Sequence, residues 1–359
     1  GYYDYDEPYE AEIPGKADFA GTIVHPQFWP ADLDYAGKRV VVIGSGATAV
    51  TIVPAMAQRA AHVTMLQRTP TWYASRPARD AFANTLRKVL PEKVAYAITR
   101  FKNIRLQNFF YNRARTSPDK VKDFLTKRLK EMLGDKYDAK AFTPPYNPWE
   151  QRLCLVPDAD MFEAIKAGKA EVVTDRIARI DASGIQLESG RHLDADVIVT
   201  ATGLKLAIAG KIALAMDGEA IDLADHYYYK AVMFSNLPNL AAVFGYLNAS
   251  WTLRADLNAE YVCKVLNRMK QTGREVATPV LPDAGALTFD DVFDFSSGYL
   301  QRGKHLQPRS ATDMRWRLSQ DYVRDRKFIK SDPVEDGVLQ LTEPRAAARA
   351  ADPLQEAAE

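Results

Sequence analysis

Cysteine is nearly absent from this chain. Cys154 and Cys263 are the only two among 359 residues, too few for a disulfide framework and not spaced as a metal site or a C-x-x-C redox pair. A reducing, cytoplasmic setting suits that usage. Histidine is scarce as well, and His25, His62, His192, His226 and His305 are scattered with no two at ligand spacing, so no histidine-built metal site is expected. Neither sign of charge dominates. The 47 Lys and Arg against 46 Asp and Glu leave a net charge of +1, and no global field draws the chain to nucleic acid. Long apolar runs are lacking too. The uncharged stretch 40–57 is broken by Gly44, Gly46 and Pro54, and the stretch 231–253 by Asn236, Pro238, Asn239 and Asn248. Both are too polar for a lipid-exposed helix.

What is present is ordinary globular material. Apolar residues make up 47% and charged residues 26%, and a chain of this length suggests about two domains. Lys38-Arg39 leads into Val40-Val41-Val42-Ile43, a short β-branched run bounded by glycine that reads as a buried parallel strand. Gly44-Ser45-Gly46-Ala47-Thr48-Ala49 follows, then a helical stretch to about residue 60, then the strand candidate His62–Leu66. Strand, turn, helix and strand in that order make one βαβ unit.

The turn is the most informative motif. In Gly44-x-Gly46-x-x-Ala49 the first glycine permits a tight turn, the second lets backbone approach a pyrophosphate, and the small third position lets helix pack on strand. Exposed amides and the positive helix end attract phosphate. The second strand then distinguishes between cofactors. An NAD site places Asp or Glu about 20 residues past the glycines, whereas this chain has Gln67-Arg68-Thr69. A carboxylate repels a 2′-phosphate and a guanidinium binds it in bidentate fashion, which favours NADP(H).

Residues 80–140 differ in composition and are rich in Lys and Arg. Val94, Ala97, Ile98 and Phe101 recur at helical spacing, as do Val121, Phe124, Leu125, Leu129 and Met132. Ser117-Pro118 suits the start of the second helix. Such a segment is either a pair of amphipathic surface helices with basic polar faces, or a lid or membrane-surface patch near a substrate entrance. Short strands are expected at 171–174, 185–187 and 197–199, the last running into Ala201-Thr202-Gly203. A helix is expected from about Ser250 to Met269, with Leu253, Leu257, Tyr261 and Val265 on one face, and the tail 343–359 is expected to fray.

The connector before the first strand carries Phe19-x-Gly21-x-x-x-His25-x-x-x-Trp29-Pro30. Composition does not decode it: a role beside a flavin or nicotinamide competes with a packed aromatic linker. As a pattern it resembles the fingerprint of the Baeyer–Villiger, or class B, flavoprotein monooxygenases. The turn Gly44–Ala49 stands where that family has its NADP motif, and Ala201-Thr202-Gly203 resembles the segment linking the family's two dinucleotide domains. Leu237-Pro238-Asn239-Leu240, Gly245–Thr252 and Asp294-Phe295-Ser296-Ser297-Gly298-Tyr299 are most similar to the ethionamide-activating branch. The resemblance runs from residue 1 to about residue 342.

The resemblance implies an α/β fold of two dinucleotide-binding, Rossmann-like domains, with the NADP domain inserted in an FAD domain. Residues 1–38 would end the first part of the FAD domain and form the connector. Residues 39–203 would be the NADP-binding domain, with 80–140 as its helical insertion, and 204–342 the rest of the FAD domain. The glycine motif for the FAD pyrophosphate is absent, because Gly1, Gly15, Gly21 and Gly37 lack the spacing. With a start in Gly1-Tyr2-Tyr3, this leads to the expectation of an N-terminally incomplete FAD domain.

By the same resemblance, NADPH reduces FAD, oxygen adds to give a peroxyflavin, and one oxygen atom enters a ketone, giving an ester, or adds to the sulfur of a thioamide-like compound. Arg152 matches the family's active-site arginine, which stabilises developing negative charge; a structural ion pair with Glu150, Asp158 or Asp160 is the competing reading. Arg68 and Thr69 would serve the cofactor phosphate, and Gln151 stands where many members have lysine. His25 would couple the linker to NADP or simply pack. Asn248, Ser250, Trp251 and Thr252 would bring a helix N-terminus to the flavin, with plain capping by Ser250 compatible with that role. The alternative for the whole chain is a non-catalytic NADP-binding module, since the FAD pyrophosphate motif is missing. Expected partners are a small ketone, thioamide or sulfide and O2, with no nucleic acid, and with peripheral membrane contact through 80–140 as the sharper reading of that segment.

Overall fold

A computed structural model describes residues 2–151, 153–281, 283–291 and 297–344. Arg152, the Asp294-Phe295-Ser296 part of the resembling segment, and residues 345–359 of the expected tail lie outside the described residues. The chain divides into two compact units, one of Gly1–Ile212 with Phe293–Lys304, the other of Ala213–Val292 with His305–Glu359.

The first unit is built on a parallel sheet. Its elements are β1 (Thr22–Val24), β2 (Arg39–Ile43), α1 (Ala47–Ala57), β3 (His62–Gln67), β4 (Tyr73–Arg76), α2 (Ala81–Val89), α3 (Glu92–Thr116), α4 (Pro118–Leu133), α5 (Ala139–Phe142), β5 (Cys154–Pro157), α6 (Asp160–Lys166), β6 (Ala170–Thr174), β7 (Ile177–Asp181), β8 (Gly184–Leu187), β9 (His192–Asp194) and β10 (Val197–Thr200). The sheet order is β1-β10-β2-β3-β6, with every neighbouring pair parallel.

Strand periodicity explains why this sheet has two covers. Val40 and Val42, Val63 and Met65, Val197 and Val199 face the helical layer, where Ala49, Val50 and Val53 of α1, Leu129 and Leu133 of α4 and Phe162 of α6 pack. Val41, Ile43, Leu66 and Ile198 face the opposite way, onto Ile180, Ile185, Leu187 and Leu193 of the antiparallel β7-β8-β9 sheet. Alternate residues point to alternate faces, and both faces are buried, so the strands read as continuous apolar runs.

Several expected elements differ in detail. Helix α1 ends at Ala57 with Gln58 as its C-cap, and the Arg59 amide makes a tighter i−3 bond to the Met56 carbonyl. The connector contains a strand, since β1 pairs with β10 at the sheet edge. Proline 118 does open α4 as its first residue, but Ser117 makes no side-chain cap. The largest difference is in α3. Val94, Ile98 and Phe101 share the expected stripe, yet all three are exposed, and the residues α3 buries are Ala95 and Ala114. Packing against its helical neighbours, α2 and α4, takes the small side of the helix and leaves the bulky side in solvent.

The second unit centres on the helix Trp251–Thr272, whose Leu253, Leu257, Tyr261 and Val265 are buried as their spacing requires. Tyr229, Tyr261, Val265, Trp316, Ile329 and Leu339 form its core.

One constraint ties the turn after β2 to the end of β10. Gly44 has φ +137°, and a Cβ built on it would lie 2.3 Å from the Ala201 carbonyl oxygen. Gly44→Ala therefore combines backbone strain with a clash against backbone, and is expected to lower unfolding free energy by roughly 2–3 kcal/mol, measured by urea titration. An unchanged midpoint would show that the close approach carries no constraint.

Candidate dinucleotide site

The strand order reverses beside β2. The chain proceeds outward on one side through β3 and β6 and returns on the other side through β10. In a parallel sheet the crevice beyond the carboxyl ends at such a point is where ligands bind. Here that crevice is framed by the Gly44–Ala49 turn after β2, by Arg68 and Thr69 after β3, and by Ala201-Thr202-Gly203 after β10.

Each piece is held by backbone. The Gly44 amide donates to the Leu66 carbonyl at 2.8 Å, and the Ser45 hydroxyl donates to the Thr69 carbonyl at 3.3 Å. These two bonds lie on either side of Arg68 in sequence and set the end of β3 against the glycine turn. The Cys154 thiol points at the Ser45 carbonyl, with Sγ 3.8 Å from the oxygen, a buttress that the cysteine count alone could not reveal.

Gly46 behaves differently from Gly44. Its backbone is ordinary for any residue, with φ −80° and ψ −177°, and a Cβ there would meet nothing within 4 Å. No contact among the described residues demands glycine at this position. The empty space lies at the N-terminus of α1, where Gly46 caps with no side chain and the first turn, including Ala47 and Thr48, carries no acidic residue. Uncapped amides and an unneutralised helix end make an anion cradle, and buried Ala49 completes the small-residue contact with the sheet. Arg68 is exposed and has no hydrogen bond or ion pair to any described residue. The neighbouring Gln67 is not available to a ligand through its amide nitrogen, since Nε2 donates to the Ala141 carbonyl at 2.7 Å and to the Thr174 hydroxyl at 2.8 Å.

The connector fingerprint divides into packing and polar parts. Phe19 packs against the core, and a Cβ on Gly21 would strike the Phe19 ring at 2.7 Å. Trp29 and Pro30 are exposed. His25 follows β1, and its Nδ1 accepts from the Gln27 amide at 3.2 Å, so the proton sits on Nε2. That nitrogen is buried and, like the buried Thr202 hydroxyl, makes no well-aligned hydrogen bond among the described residues, although the Gly203 and Tyr9 backbones lie close enough to act on the His25 ring. Burial pushes the His25 imidazolium to a lower pKa than usual, which favours the neutral ring. A buried donor and a buried hydroxyl left open after β1 and β10 fit a polar ligand.

In the second unit, the helix Trp251–Thr272 begins at Ser250, which makes no side-chain cap. The Ser250 and Thr252 hydroxyls bond each other instead, at 2.8 Å. Asn248 is buried and donates to the Gln320 carbonyl at 2.9 Å, so its amide group holds the loop together. The Trp251 ring lies against Gly245, where a Cβ would come within 2.1 Å of it. No side-chain cap from Ser250 covers this helix start, while Asn248 and Trp251 shape the loop.

Comparisons with known proteins agree on one family. The profile described as flavin-binding monooxygenase-like matches residues 1–275. An FAD-containing monooxygenase, EthA, of Mycolicibacterium smegmatis is 47% identical over 354 residues, covering 98% of this chain and 71% of the relative. A probable FAD-binding monooxygenase, AlmA, of Acinetobacter baylyi is 46% identical over 341 residues, covering 94% and 68%. Among solved structures, an oxidized steroid monooxygenase bound to NADP superposes with a TM-score of 0.68 at 20% identity, over 94% of this chain and 73% of that one. An ε-caprolactone-bound cyclohexanone monooxygenase gives 0.63 at 19% identity, over 95% and 73%. At such identity these likenesses show the fold, a mixed α/β architecture with Rossmann-like dinucleotide-binding domains.

The contrast between the two glycines is testable. Gly46→Val is expected to leave the unfolding midpoint within about 0.5 kcal/mol of the parent, as a surface substitution does. It should also raise the dissociation constant of a dinucleotide by at least about tenfold, by calorimetric titration, because the side chain fills the space a pyrophosphate needs. Unchanged affinity would exclude this turn as the phosphate site.

Proposed function

Because the chain belongs to the flavin-binding monooxygenase-like family, we propose that it is an FAD- and NADPH-dependent monooxygenase that inserts one oxygen atom from O2 into a ketone, giving an ester, or adds it to the sulfur of a thioamide-like compound. The single observation that carries the cofactor part is the uncapped start of α1 beneath Gly46, a position where nothing among the described residues requires glycine. Residues 39–203 are assigned to the NADP side, with 80–140 inserted, and residues 1–38 and 204–342 to the FAD side. When bound, FAD takes electrons from NADPH and supplies the oxygen-activating chemistry.

The chain's own residues then have distinct tasks. The amides of Ser45 to Thr48 and the positive end of α1 receive the pyrophosphate of NADPH. Arg68, exposed and with no ion pair among the described residues, takes the 2′-phosphate, with Thr69 beside it. Thr202 and the Nε2 proton of His25 offer the open polar atoms next to that turn, with Ala201 and Gly203 as the backbone frame. The uncapped start of the helix at Trp251 favours negative charge on a flavin held there. Arg152 is assigned the stabilisation of negative charge that develops as oxygen is transferred. The protein is placed in the cytoplasm, with the 80–140 insertion meeting a membrane surface; among the described residues no helix is long and apolar enough to cross one.

Arg68→Ala should raise the NADPH dissociation constant roughly 10- to 100-fold, the equivalent of about 1.5–3 kcal/mol of charge-assisted bonding, and alter NADH binding less than about twofold. Equal losses for both cofactors would remove the 2′-phosphate assignment. In the flavin-loaded enzyme Arg152→Ala should abolish ester formation while flavin reduction by NADPH continues in stopped-flow traces. An undiminished ester yield would end its catalytic assignment. Bound yellow flavin together with ketone-dependent NADPH oxidation separates the enzyme from a bare NADP-binding module.

A further inference from the structure

Helices α2 and α3 turn their bulky apolar side chains outward. Phe82 is 46% exposed, Val89 70%, Val94 45%, Ile98 39%, Phe101 63% and Phe109 61%. The spacing is regular. Phe82, Leu86 and Val89 follow one another at i, i+4 and i+7 along α2, and Val94, Ile98, Phe101, Arg105 and Phe109 follow at steps of four, three, four and four along α3. Each set is a single stripe of an α-helix. Scattered exposed apolar residues are normal, but two stripes on consecutive helices form a patch that calls for a partner.

The charge on these helices is one-sided. Residues 81–116 contain Arg87, Lys88, Lys93, Arg100, Lys102, Arg105, Arg113 and Arg115 against the single acid Glu92, while the chain as a whole carries only +1. Lys88, Lys93 and Arg105 meet no carboxylate among the described residues. Cations also lie against the exposed rings: Lys102 Nζ is 4.6 Å from the Phe82 ring centre and the Arg105 guanidinium 5.3 Å from that of Phe101. Basic heads beside aromatic and aliphatic side chains suit the boundary between headgroups and acyl chains. A second copy of the same patch would bring positive charge against positive charge. Exposed Val89, Val94 and Ile98 offer nothing to stack on a nucleic-acid base. With no helix among the described residues long and apolar enough to cross, the geometry is that of helices lying on a surface.

We propose that α2 and α3 dock on an anionic lipid bilayer, with Phe82, Val89, Val94, Ile98, Phe101 and Phe109 entering the headgroup layer and Lys88, Lys93 and Arg105 meeting lipid phosphates. This names the lipid and the residues for the membrane-surface assignment made above and rests on that assignment, and it is independent of the cofactor chemistry. The far end of α3 bears on the functional part of the unit. The Tyr111 ring packs edge-on against Trp149 at 5.7 Å, in the turn that precedes Arg152 in sequence.

The test is co-sedimentation of the whole chain with vesicles of phosphatidylcholine alone and of phosphatidylcholine with phosphatidylglycerol. The chain should pellet with the anionic vesicles and not with the neutral ones, and 0.5 M salt, about ten times a low-salt buffer, should weaken binding. Two variants, Ile98→Ser/Phe101→Ser/Phe109→Ser and Lys88→Glu/Lys93→Glu/Arg105→Glu, should each reduce the bound fraction by at least about tenfold, with unchanged NADPH affinity and thermal midpoint. Absence of binding to anionic vesicles, or binding undiminished in both variants, overturns the proposal. So does a patch-dependent dimer or RNA complex in place of lipid binding. Loss of NADPH binding in Arg68→Ala with vesicle binding intact leaves the docking standing, so the two assignments fail separately.

Discussion

The first unit depends on how closely two pieces of backbone approach. The turn after β2 and the end of β10 touch through Gly44 and the Ala201 carbonyl, with no room for a side chain between them. This contact falls where the strand order reverses, so the backbone that closes the sheet also makes its crevice. Helix α1 must start immediately after the turn, and its free amides must point out of the sheet's carboxyl edge. An uncapped, positive helix start at the crevice therefore follows from how the sheet closes, with no separate polar apparatus. The bonds from Gly44 to Leu66 and from Ser45 to Thr69 extend the same frame to the next strand. They deliver Arg68 to the rim without engaging its guanidinium.

Electrostatics in the unit divides by location. Surface carboxylates and guanidinium groups pair with each other; Asp196, for example, is held down to a pKa of about 2 chiefly by its bond to the Arg39 side chain. Arg68 has no such partner among the described residues. In a chain of nearly balanced charge, an unpaired cation beside an uncapped helix start is a local feature that net charge cannot report. The basic helices α2 and α3 are the same phenomenon on a larger scale. Their one-sided charge is offset elsewhere in the sequence, and so it disappears from the total.

Much of the candidate site is legible in the sequence. The apolar runs of β2 and β3, the glycine spacing between them and the arginine after β3 all follow from period, turn chemistry and charge, because neighbours in sequence carry them. The buried stripe of the helix Trp251–Thr272 was equally plain. Short strands such as β1, β4, β5 and β9 were not, since three or four residues hold too little periodicity to stand out from a connector. The bond from the Asn248 amide to the Gln320 carbonyl, which joins residues 72 positions apart, was not legible either. Ser250 read as a cap, and its hydroxyl turns to Thr252 instead.

By itself the sequence determined what depends on local spacing: the parallel-strand run, the glycine turn that opens a helix, an arginine rather than a carboxylate after the next strand, and the existence of the two long helices after residue 80. The tertiary structure alone decided which glycine is required by the protein and which leaves space for a ligand, because that depends on a carbonyl 157 residues away. It also decided which face of α3 is covered. An apolar stripe states that burial is favourable, and only the neighbour that packs there, here one choosing Ala95 over Phe101, settles whether that burial takes place within the chain.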